Sequence, residues 1–229
     1  GAVNAFAFDL NAACSGFQHA MATAAGFLAS NQAKRLLVIG SEVLSAFTDF
    51  TERKSCILFG DGAGAVCVEK DPNGFFFSRM KADGTEWDLF EIPKGGSEVP
   101  FFPNFSTTKP EVTYSESRMQ MKGSEIFKSS VKAMSSFATQ TLIAAGISAD
   151  EVDAVVPHQA NLRILEAVSR RMGIPMSKFA LNIQTRGNTS AATVPTALHE
   201  AISSGQIKRG QMLLFNVFGA GVTYGSTLI

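Results

Sequence analysis

The sequence predicts an α/β fold made of two related halves, the first of which lacks its front. Segments with strand-like and helical hydrophobic spacing alternate along the chain, and the order seen before residue 71 returns after residue 121. Both parts also close on a predicted strand pair over a glycine-containing turn, at 60–64 and at 219–221. Because the chain opens directly on the strand pattern AVNAFAFDL, we expect sequence to be missing before it.

The first part is predicted to place a helix between strands. Apolar residues from Phe17 to Leu28 recur at helical spacing, and Asp61-Gly62 is a favourable pair for a hairpin turn. The predicted elements are a strand at 3–10, a helix at 14–29, a buried strand at 34–42, two short strands within 56–70, and a strand at 74–83 that leads into an irregular stretch.

The second part is predicted to repeat this alternation. Its clearest element is an amphipathic helix with Leu162, Leu165 and Val168 on one face, ended by Gly173 and Pro175. The predicted elements are a helix at 121–145, a strand at 152–157, the amphipathic helix at 159–172, a strand at 179–183, a helix at 189–204 and two final strands. We assign residues 1–71 to the first half and 72–229 to the second, with an irregular insertion at about 75–118.

Composition limits the classes of partner. Lys plus Arg and Asp plus Glu each total 20, so no net charge recruits nucleic acid or an anionic membrane. No apolar run reaches the roughly 18–20 residues of a membrane span. Three cysteines without Cys-x-x-Cys spacing favour a reducing compartment. Three scattered histidines without a His-x-x-x-His pair argue against a zinc site.

Cys14 is the first candidate for chemistry. It lies where a strand-like run meets a predicted helix, and the peptide dipoles at a helix N-terminus stabilise a thiolate. Its neighbours in AACSG are small and leave room for a substrate. A small buried hydrophobe fits the same position, so the local sequence leaves a nucleophile and a packing residue equally open. Cys67 is predicted to be a core residue, and Cys56, at a predicted strand start, shows no activating neighbour.

His158 and Asn188 are the other candidates. His158 directly follows a predicted strand, where α/β folds bind ligands, but a capping or core histidine explains the position equally well. Asn188 precedes a predicted helix, and alone it is most simply a turn or N-cap residue. His19 and His199 lie inside predicted helices and are interpreted as structural. The run GDGAGA at 60–65 is not a dinucleotide fingerprint, because its glycine spacing differs and a strand follows it.

Five stretches, taken together and in this order, resemble the β-ketoacyl-acyl-carrier-protein synthase III family. They are NAACSGF around Cys14, GDGAGAV at 60–66, PHQANLRI at 157–164, RGNTSAAT at 186–193 and FGAGVTYGS at 218–226. The Cys-His-Asn combination separates this family from elongating ketosynthases, which carry Cys-His-His, and from thiolases, which have a second catalytic cysteine. Chalcone-type synthases share Cys-His-Asn within different local motifs.

The resemblance implies a thiolase-like fold of two pseudo-repeated halves, assembled as a homodimer. It implies an acyltransferase that passes an acyl group from acyl-CoA to the cysteine and condenses it with malonyl-acyl-carrier protein. This reaction starts type II fatty-acid synthesis in the bacterial cytoplasm or plastid stroma, and it needs no metal or redox cofactor. The rivals are a polyketide-type or quinolone-type synthase or acyltransferase of the same family, and a catalytically inert fragment or partner subunit.

The resemblance also assigns roles to residues. Cys14 matches the acyl-carrying nucleophile, and His158 and Asn188 match the pair that hydrogen-bonds the malonyl thioester oxygen. A backbone N–H of Cys14 and one from the turn at Gly219 and Ala220 match a second oxyanion hole. The remaining matches are Arg53 at the CoA nucleotide, Asn161 and Arg163 at the mouth of the carrier tunnel, and Phe218 beside the active site. Ala220 replaces a glycine common in the family, so it must tolerate the local φ and ψ.

Overall fold

The computed structural model describes residues 1–95 and 113–229. Its elements, in chain order, are α1 (Gly16–Ala29), β1 (Arg35–Val43), α2 (Arg53–Cys56), β2 (Asp61–Glu69), β3 (Phe77–Ala82), β4 (Phe90–Glu91), β5 (Gln120–Met121), α3 (Gly123–Ala145), β6 (Ala154–Pro157), α4 (Leu162–Met172), α5 (Ile183–Arg186), α6 (Thr193–Ser203), β7 (Leu213–Gly219) and β8 (Thr223–Leu228). Short 3-10 turns precede several helices, including one at Ala13–Ser15 and one at Ser190–Ala192.

A four-stranded mixed sheet organises the second part of the chain. Its order is β3-β8-β7-β6, with β6 and β7 parallel and the other pairs antiparallel. Alternate residues of β7 pack on opposite faces, as strand geometry requires. Leu214 and Phe218 join a core with α3 and α4, whereas Phe215 and Val217 join a core with α1 and α6. The sheet is therefore covered by helices on both faces.

The helices α1 and α6 lie between this sheet and a two-stranded antiparallel sheet of β1 and β2. Val38 of β1 joins the same core as Phe17 of α1 and Val194 of α6. Glycines allow the close approach, because a Cβ on Gly64 would lie 2.9 Å from Cβ of Pro195. Gly64 of GDGAGA thus serves strand-to-helix packing, and the layered α/β prediction is confirmed.

Four predictions for the first part are wrong. The segment 56–70 is not a hairpin: residues 53–56 form α2, and Asp61-Gly62 begins one continuous strand that pairs with β1. The strand predicted as buried at 34–42 does form, but side chains such as Ile39 are 56% exposed. Cys67 is also exposed, and Cys56 ends α2 rather than starting a strand.

The predicted strands at 3–10 and 179–183 are absent from the structure. Residues 1–12 form no strand: the Ala5 N–H donates to the Ala2 carbonyl at 3.1 Å in a turn, and none of the described strands pairs with this segment to complete a hydrogen-bond ladder. At 179–183 only Phe179 makes an isolated bridge, to Val155, and Ile183 then begins α5. Of the predicted irregular insertion at 75–118, residues 96–112 lie outside the described residues.

Candidate active site

Cys14 lies in the 3-10 turn that leads into α1. The turn is held against the end of the central sheet, since Ser15 Oγ donates to the Thr223 carbonyl at 3.0 Å. Gly219 touches it from the other side: a Cβ on Gly219 would lie 2.9 Å from the Ser15 nitrogen and 3.0 Å from the Cys14 nitrogen. The missing side chain of Gly219 therefore lets the β7–β8 turn rest on the backbone of Cys14, which is buried.

In the turn between β7 and β8, the residue with positive φ is a glycine. Gly221 has φ of +126°, whereas Ala220 is not among the positive-φ residues. Ala220 can therefore occupy its position without backbone strain. Its backbone N–H acts on the Cys14 sulfur together with the N–H of Cys14 itself. The resemblance assigns an oxyanion hole to the N–H of Cys14 and one N–H of the turn at Gly219 and Ala220, and that role stays a prediction.

His158 directly follows β6 and is anchored through its backbone and its ring. Its N–H donates to the Asn216 carbonyl of β7 at 3.0 Å. Its Nδ1 lies 2.7 Å from Thr193 Oγ1 at the start of α6. The side chain is 2% exposed. The ring is thus fixed between the end of the sheet and the helix that follows Asn188.

Asn188 is held by backbone hydrogen bonds to the loop before β2. Its N–H donates to the Leu58 carbonyl at 2.8 Å, and its own carbonyl accepts the Gly60 N–H at 3.0 Å. Its side-chain Oδ1 accepts the Ser190 N–H at 2.9 Å. Because the oxygen is used by the backbone, the groups that Asn188 offers a ligand are the donors on Nδ2.

The turn Ser190–Ala192 and the adjoining Thr193 bring the three candidates together. The Ser190 side chain hydrogen-bonds the Cys14 sulfur, its N–H binds Asn188, and its carbonyl lies beside the His158 ring. Ser190 has φ of +51°, a left-handed conformation that costs a non-glycine residue about 1–3 kcal/mol. Local backbone strain of this kind is typical of functional sites. Cys14, His158 and Asn188, separated by up to 174 residues (188 − 14), therefore form one cluster.

Burial controls the charge of both titratable groups in this cluster. Burial raises the pKa of Cys14 to about 11 against its ordinary 9.0, and the charge of Glu42 adds to the rise. Hydrogen bonds from the Ser190 hydroxyl and from the two backbone N–H groups lower the pKa of Cys14, but by less than burial raises it. Burial also lowers the pKa of His158 to about 4, so this ring is neutral at pH 7. The helix-terminus stabilisation predicted for the thiolate is outweighed by desolvation.

A pH profile of alkylation should show this effect. Since the thiolate is the nucleophile, we expect iodoacetamide to label Cys14 roughly 100-fold more slowly at pH 7 than an ordinary thiol, with the rate rising about tenfold per pH unit up to about pH 11. Glu42→Gln should accelerate labelling by removing the carboxylate charge. Peptide mass spectrometry separates Cys14 from the exposed Cys67, which serves as internal reference. A Cys14 profile that levels off below pH 8 would contradict the assigned pKa.

The sequence did not indicate three residues that shape the site. Ser190 and Thr193 lie inside the quoted motif RGNTSAAT, so attention to its hydroxyl side chains could have identified them. Glu42 lies near the end of β1 without a local sequence signal, and its carboxylate accepts the Ala191 N–H at 3.3 Å. Of the predicted peripheral residues, Phe218 is buried and stacks on Tyr224.

The residues predicted to contact CoA or the carrier protein lie at the starts of two helices. Arg53 begins α2 and is exposed, as is Arg163 in the first turn of α4. Asn161 is the N-cap of α4, with its side-chain oxygen accepting the Arg163 N–H at 2.9 Å. This cap explains why the helix begins at 162 rather than at the predicted 159.

The described residues show neither a metal-ion site nor a membrane-spanning helix. No group of three or more His, Cys, Asp or Glu side chains within 1–95 and 113–229 is arranged to hold a metal ion. No helix in these same ranges is long and apolar enough to cross a membrane.

The fold, together with a cluster of one buried cysteine, one histidine and one asparagine, defines a thiolase-like enzyme. The family model of 3-oxoacyl-[acyl-carrier-protein] synthase III matches residues 8–84. The model of the C-terminal part of the same synthase matches residues 142–229. The chain belongs to this family of condensing acyltransferases. A β-ketoacyl-acyl-carrier-protein synthase III of Xanthomonas campestris is 44% identical over the whole chain, which spans 68% of that relative.

Solved structures agree with this assignment. The 3-oxoacyl-acyl-carrier-protein synthase III of Aquifex aeolicus superposes with a TM-score of 0.86 at 40% identity, covering 99% of this chain and 68% of that one. A priming β-ketosynthase from a polyketide biosynthetic pathway superposes with a TM-score of 0.89 at 31% identity, covering 100% of this chain and 66% of that one.

Proposed function

We propose that the protein catalyses the decarboxylative condensation of an acyl-CoA primer with malonyl-acyl-carrier protein, the first step of type II fatty-acid synthesis. The observation that carries the proposal is the cluster itself. One turn, Ser190–Ala192, with Thr193 beside it, joins a buried thiol to an imidazole and an amide. A thioester-condensing site requires this set of groups: a nucleophile to carry the acyl chain and two donors for a second thioester.

In the first half-reaction, the Cys14 sulfur attacks the acyl carbonyl of acyl-CoA. The sulfur gives up its proton, the carbon–sulfur bond to CoA breaks, and the CoA thiolate takes up a proton. The oxyanion formed on the way is stabilised by the backbone N–H groups of Cys14 and Ala220, which act on the sulfur position. Gly219 contributes by keeping the turn in contact with Cys14.

In the second half-reaction, malonyl-acyl-carrier protein loses carbon dioxide. The electron pair of the breaking carbon–carbon bond moves onto the thioester, whose oxygen becomes enolate-like and accepts hydrogen bonds from His158 and from Asn188 Nδ2. The resulting carbanion attacks the acyl carbonyl on Cys14. The bond to sulfur breaks, and the thiolate regains a proton. Two aligned donors in a buried site stabilise such a charge by several kcal/mol, and no metal or redox cofactor is needed.

The partners follow from the reaction. Exposed Arg53 and Arg163 carry positive charge that suits the phosphates of CoA and of the carrier protein's phosphopantetheine. We also propose that the protein acts in the bacterial cytoplasm, since the relative from Xanthomonas campestris is bacterial, with the plastid stroma as the alternative compartment. We also propose a homodimer, supported by exposed apolar side chains such as Phe6 and Phe8 near the start of the chain. Sedimentation velocity that finds only monomer would contradict the dimer.

The overall reaction tests the proposal. Full-length protein given acetyl-CoA and malonyl-acyl-carrier protein should produce acetoacetyl-acyl-carrier protein and release carbon dioxide, measured by mass spectrometry of the carrier. Product formation should require both substrates. The structural similarity to a priming β-ketosynthase of a polyketide pathway supports a polyketide-type synthase with another primer as the second candidate. A panel of acyl-CoA primers decides between the two, and no product with any primer would reject both.

A further inference from the structure

Strand β6 ends at a proline, which interrupts its pairing with the segment 179–182. Val155 bridges Phe179 in the parallel sense, and the Ala180 N–H donates to the Val155 carbonyl at 2.9 Å. In a regular parallel ladder, the next N–H would come from residue 157 and reach the Ala180 carbonyl. That residue is Pro157, which has no N–H. The backbone ladder therefore stops directly before His158.

The side chain of Gln159 supplies the hydrogen bonds that are missing at this point. Its Nε2 donates to the Pro157 carbonyl at 2.9 Å and to the Ala180 carbonyl at 3.0 Å. Its Oε1 accepts the Asn182 N–H at 3.2 Å. A glutamine amide can do this because, like a peptide group, it offers N–H donors and a carbonyl acceptor. All four residues are buried, so bulk water cannot replace these bonds.

The bonds of Gln159 join the two chain segments that carry His158 and Asn188. Gln159 directly follows His158 in the sequence. Asn182, on the other segment, is the N-cap of α5, and α5 and one further residue lead to Asn188. The Asn182 carbonyl accepts the Arg186 N–H at 2.9 Å, which closes the single turn of α5. One short, hydrogen-bonded segment thus connects the Gln159 amide with the backbone of Asn188.

We propose that Gln159 is a positioning residue, whose amide takes the place of the N–H that Pro157 lacks and so sets the spacing between the His158 ring and the Asn188 side chain. The inference rests on the proposed function, because this spacing matters when both side chains bind one thioester oxygen. Gln159 is 0% exposed and acts only through the two segments that it joins. Its loss should therefore slow condensation and spare acylation, whose oxyanion lies against the backbone N–H groups beside Cys14.

Hydrogen exchange of the full-length protein tests the bond at Asn182 without any substrate. Asn182 precedes α5, so its N–H has no partner inside that helix. In the wild type we expect this amide to exchange about as slowly as the amide of Ala180, which is bonded to β6. Gln159→Met keeps the length of the side chain without its hydrogen bonds. It should speed exchange at Asn182 roughly tenfold or more and exchange at Ala180 less than about threefold.

Half-reaction kinetics test the positioning role. In Gln159→Met, kcat for condensation should fall roughly 10- to 100-fold, while KM for malonyl-acyl-carrier protein and the rate of Cys14 acylation stay within about threefold of wild type. A general loss of folded protein would instead lower both half-reactions by the same factor. Gln206→Met is the matched control. Gln206 donates to the Phe179 carbonyl at 3.1 Å, but it joins that segment to the loop after α6 rather than to β6, so both half-reactions should be unchanged.

A second substitution should repair the defect. Pro157→Ala supplies the N–H that a regular ladder needs, and in Gln159→Met it allows a direct bond to the Ala180 carbonyl. We expect the double variant to condense at least about fivefold faster than Gln159→Met, whereas Pro157→Ala alone should stay within about threefold of wild type. No recovery in the double variant would show that Gln159 does not stand in for the missing N–H, and the inference would be wrong.

These outcomes separate the inference from the proposed function. Fast exchange at Asn182 in the wild type, equal acceleration at Asn182 and Ala180, or equal losses of both half-reactions in Gln159→Met would overturn the positioning role. Wild-type protein that acylates Cys14 but shows no condensation with malonyl-acyl-carrier protein would reject the proposed function instead. Exchange of the Asn182 amide would then still report whether Gln159 holds the two segments together.

Discussion

Cys14→Ala should abolish the acyl-enzyme and lower condensation by on the order of 10⁴-fold or more, because no other thiol lies in the cluster. Intact-mass spectrometry after incubation of the full-length protein with acetyl-CoA measures the adduct, and the carrier assay measures condensation. The wild type should gain one acetyl group. Alanine differs from cysteine only by the sulfur, so the buried turn around residue 14 keeps its packing.

Cys67→Ala is the matched control for this change. Cys67 lies exposed on β2 and should neither carry the acyl group nor affect the rate. Peptide mapping of the wild-type adduct should place the acetyl group on the peptide that contains Cys14. An adduct that persists in Cys14→Ala would show that the acyl group sits elsewhere, and the proposed nucleophile would be wrong.

Asn188→Ala should separate the two half-reactions. Loss of one of two donors to the malonyl thioester oxygen is expected to slow decarboxylation and condensation roughly 100- to 1000-fold. Acylation of Cys14 should change far less, because its oxyanion lies against the backbone N–H groups of Cys14 and Ala220. Release of labelled carbon dioxide and transfer of labelled acetyl groups measure the two steps independently.

Asn188→Asp provides the control for structure. It keeps the side-chain oxygen that accepts the Ser190 N–H, so the strained turn retains its anchor, but it replaces the Nδ2 donors with a second acceptor. We expect it to lose condensation at least as severely as alanine while acylating normally. Equal losses of both half-reactions in either variant would contradict the role assigned to Asn188.

Much of the helical framework could be predicted from sequence. The amphipathic spacing over 121–145 and 159–172 predicted α3 and α4 to within a few residues. This works because the buried face of a helix produces a repeat of apolar residues that is visible in the local sequence. The strands of the first part were harder to predict from the sequence. Asp61-Gly62 is a good turn by local rules, yet it lies in β2 because Asp61 pairs with Val43 across the sheet.

The candidate site also combines features that the sequence predicted with features that depend on tertiary packing. The motifs located Cys14, His158 and Asn188, since each stands at the end of an element and the three types match one chemistry. The charge state of Cys14 could not be predicted, because it depends on burial and on Glu42, neither of which is visible near residue 14. The His158–Thr193 contact joins residues 35 positions apart and becomes evident only once β6 and α6 are packed together.

The two backbone hydrogen bonds between Asn188 and the Leu58–Gly60 loop have a consequence for protein engineering. They fix the peptide that carries Asn188 against the loop before β2. The two segments lie so close that a Cβ on Gly60 would lie 2.7 Å from the Arg186 carbonyl oxygen. A chimera that joins one relative's nucleophile-bearing segment to another's His- and Asn-bearing segment must therefore inherit matching versions of both loops. We expect such a chimera to exchange the range of accepted primers only if the backbone hydrogen bonds of Asn188 to Leu58 and Gly60 are preserved.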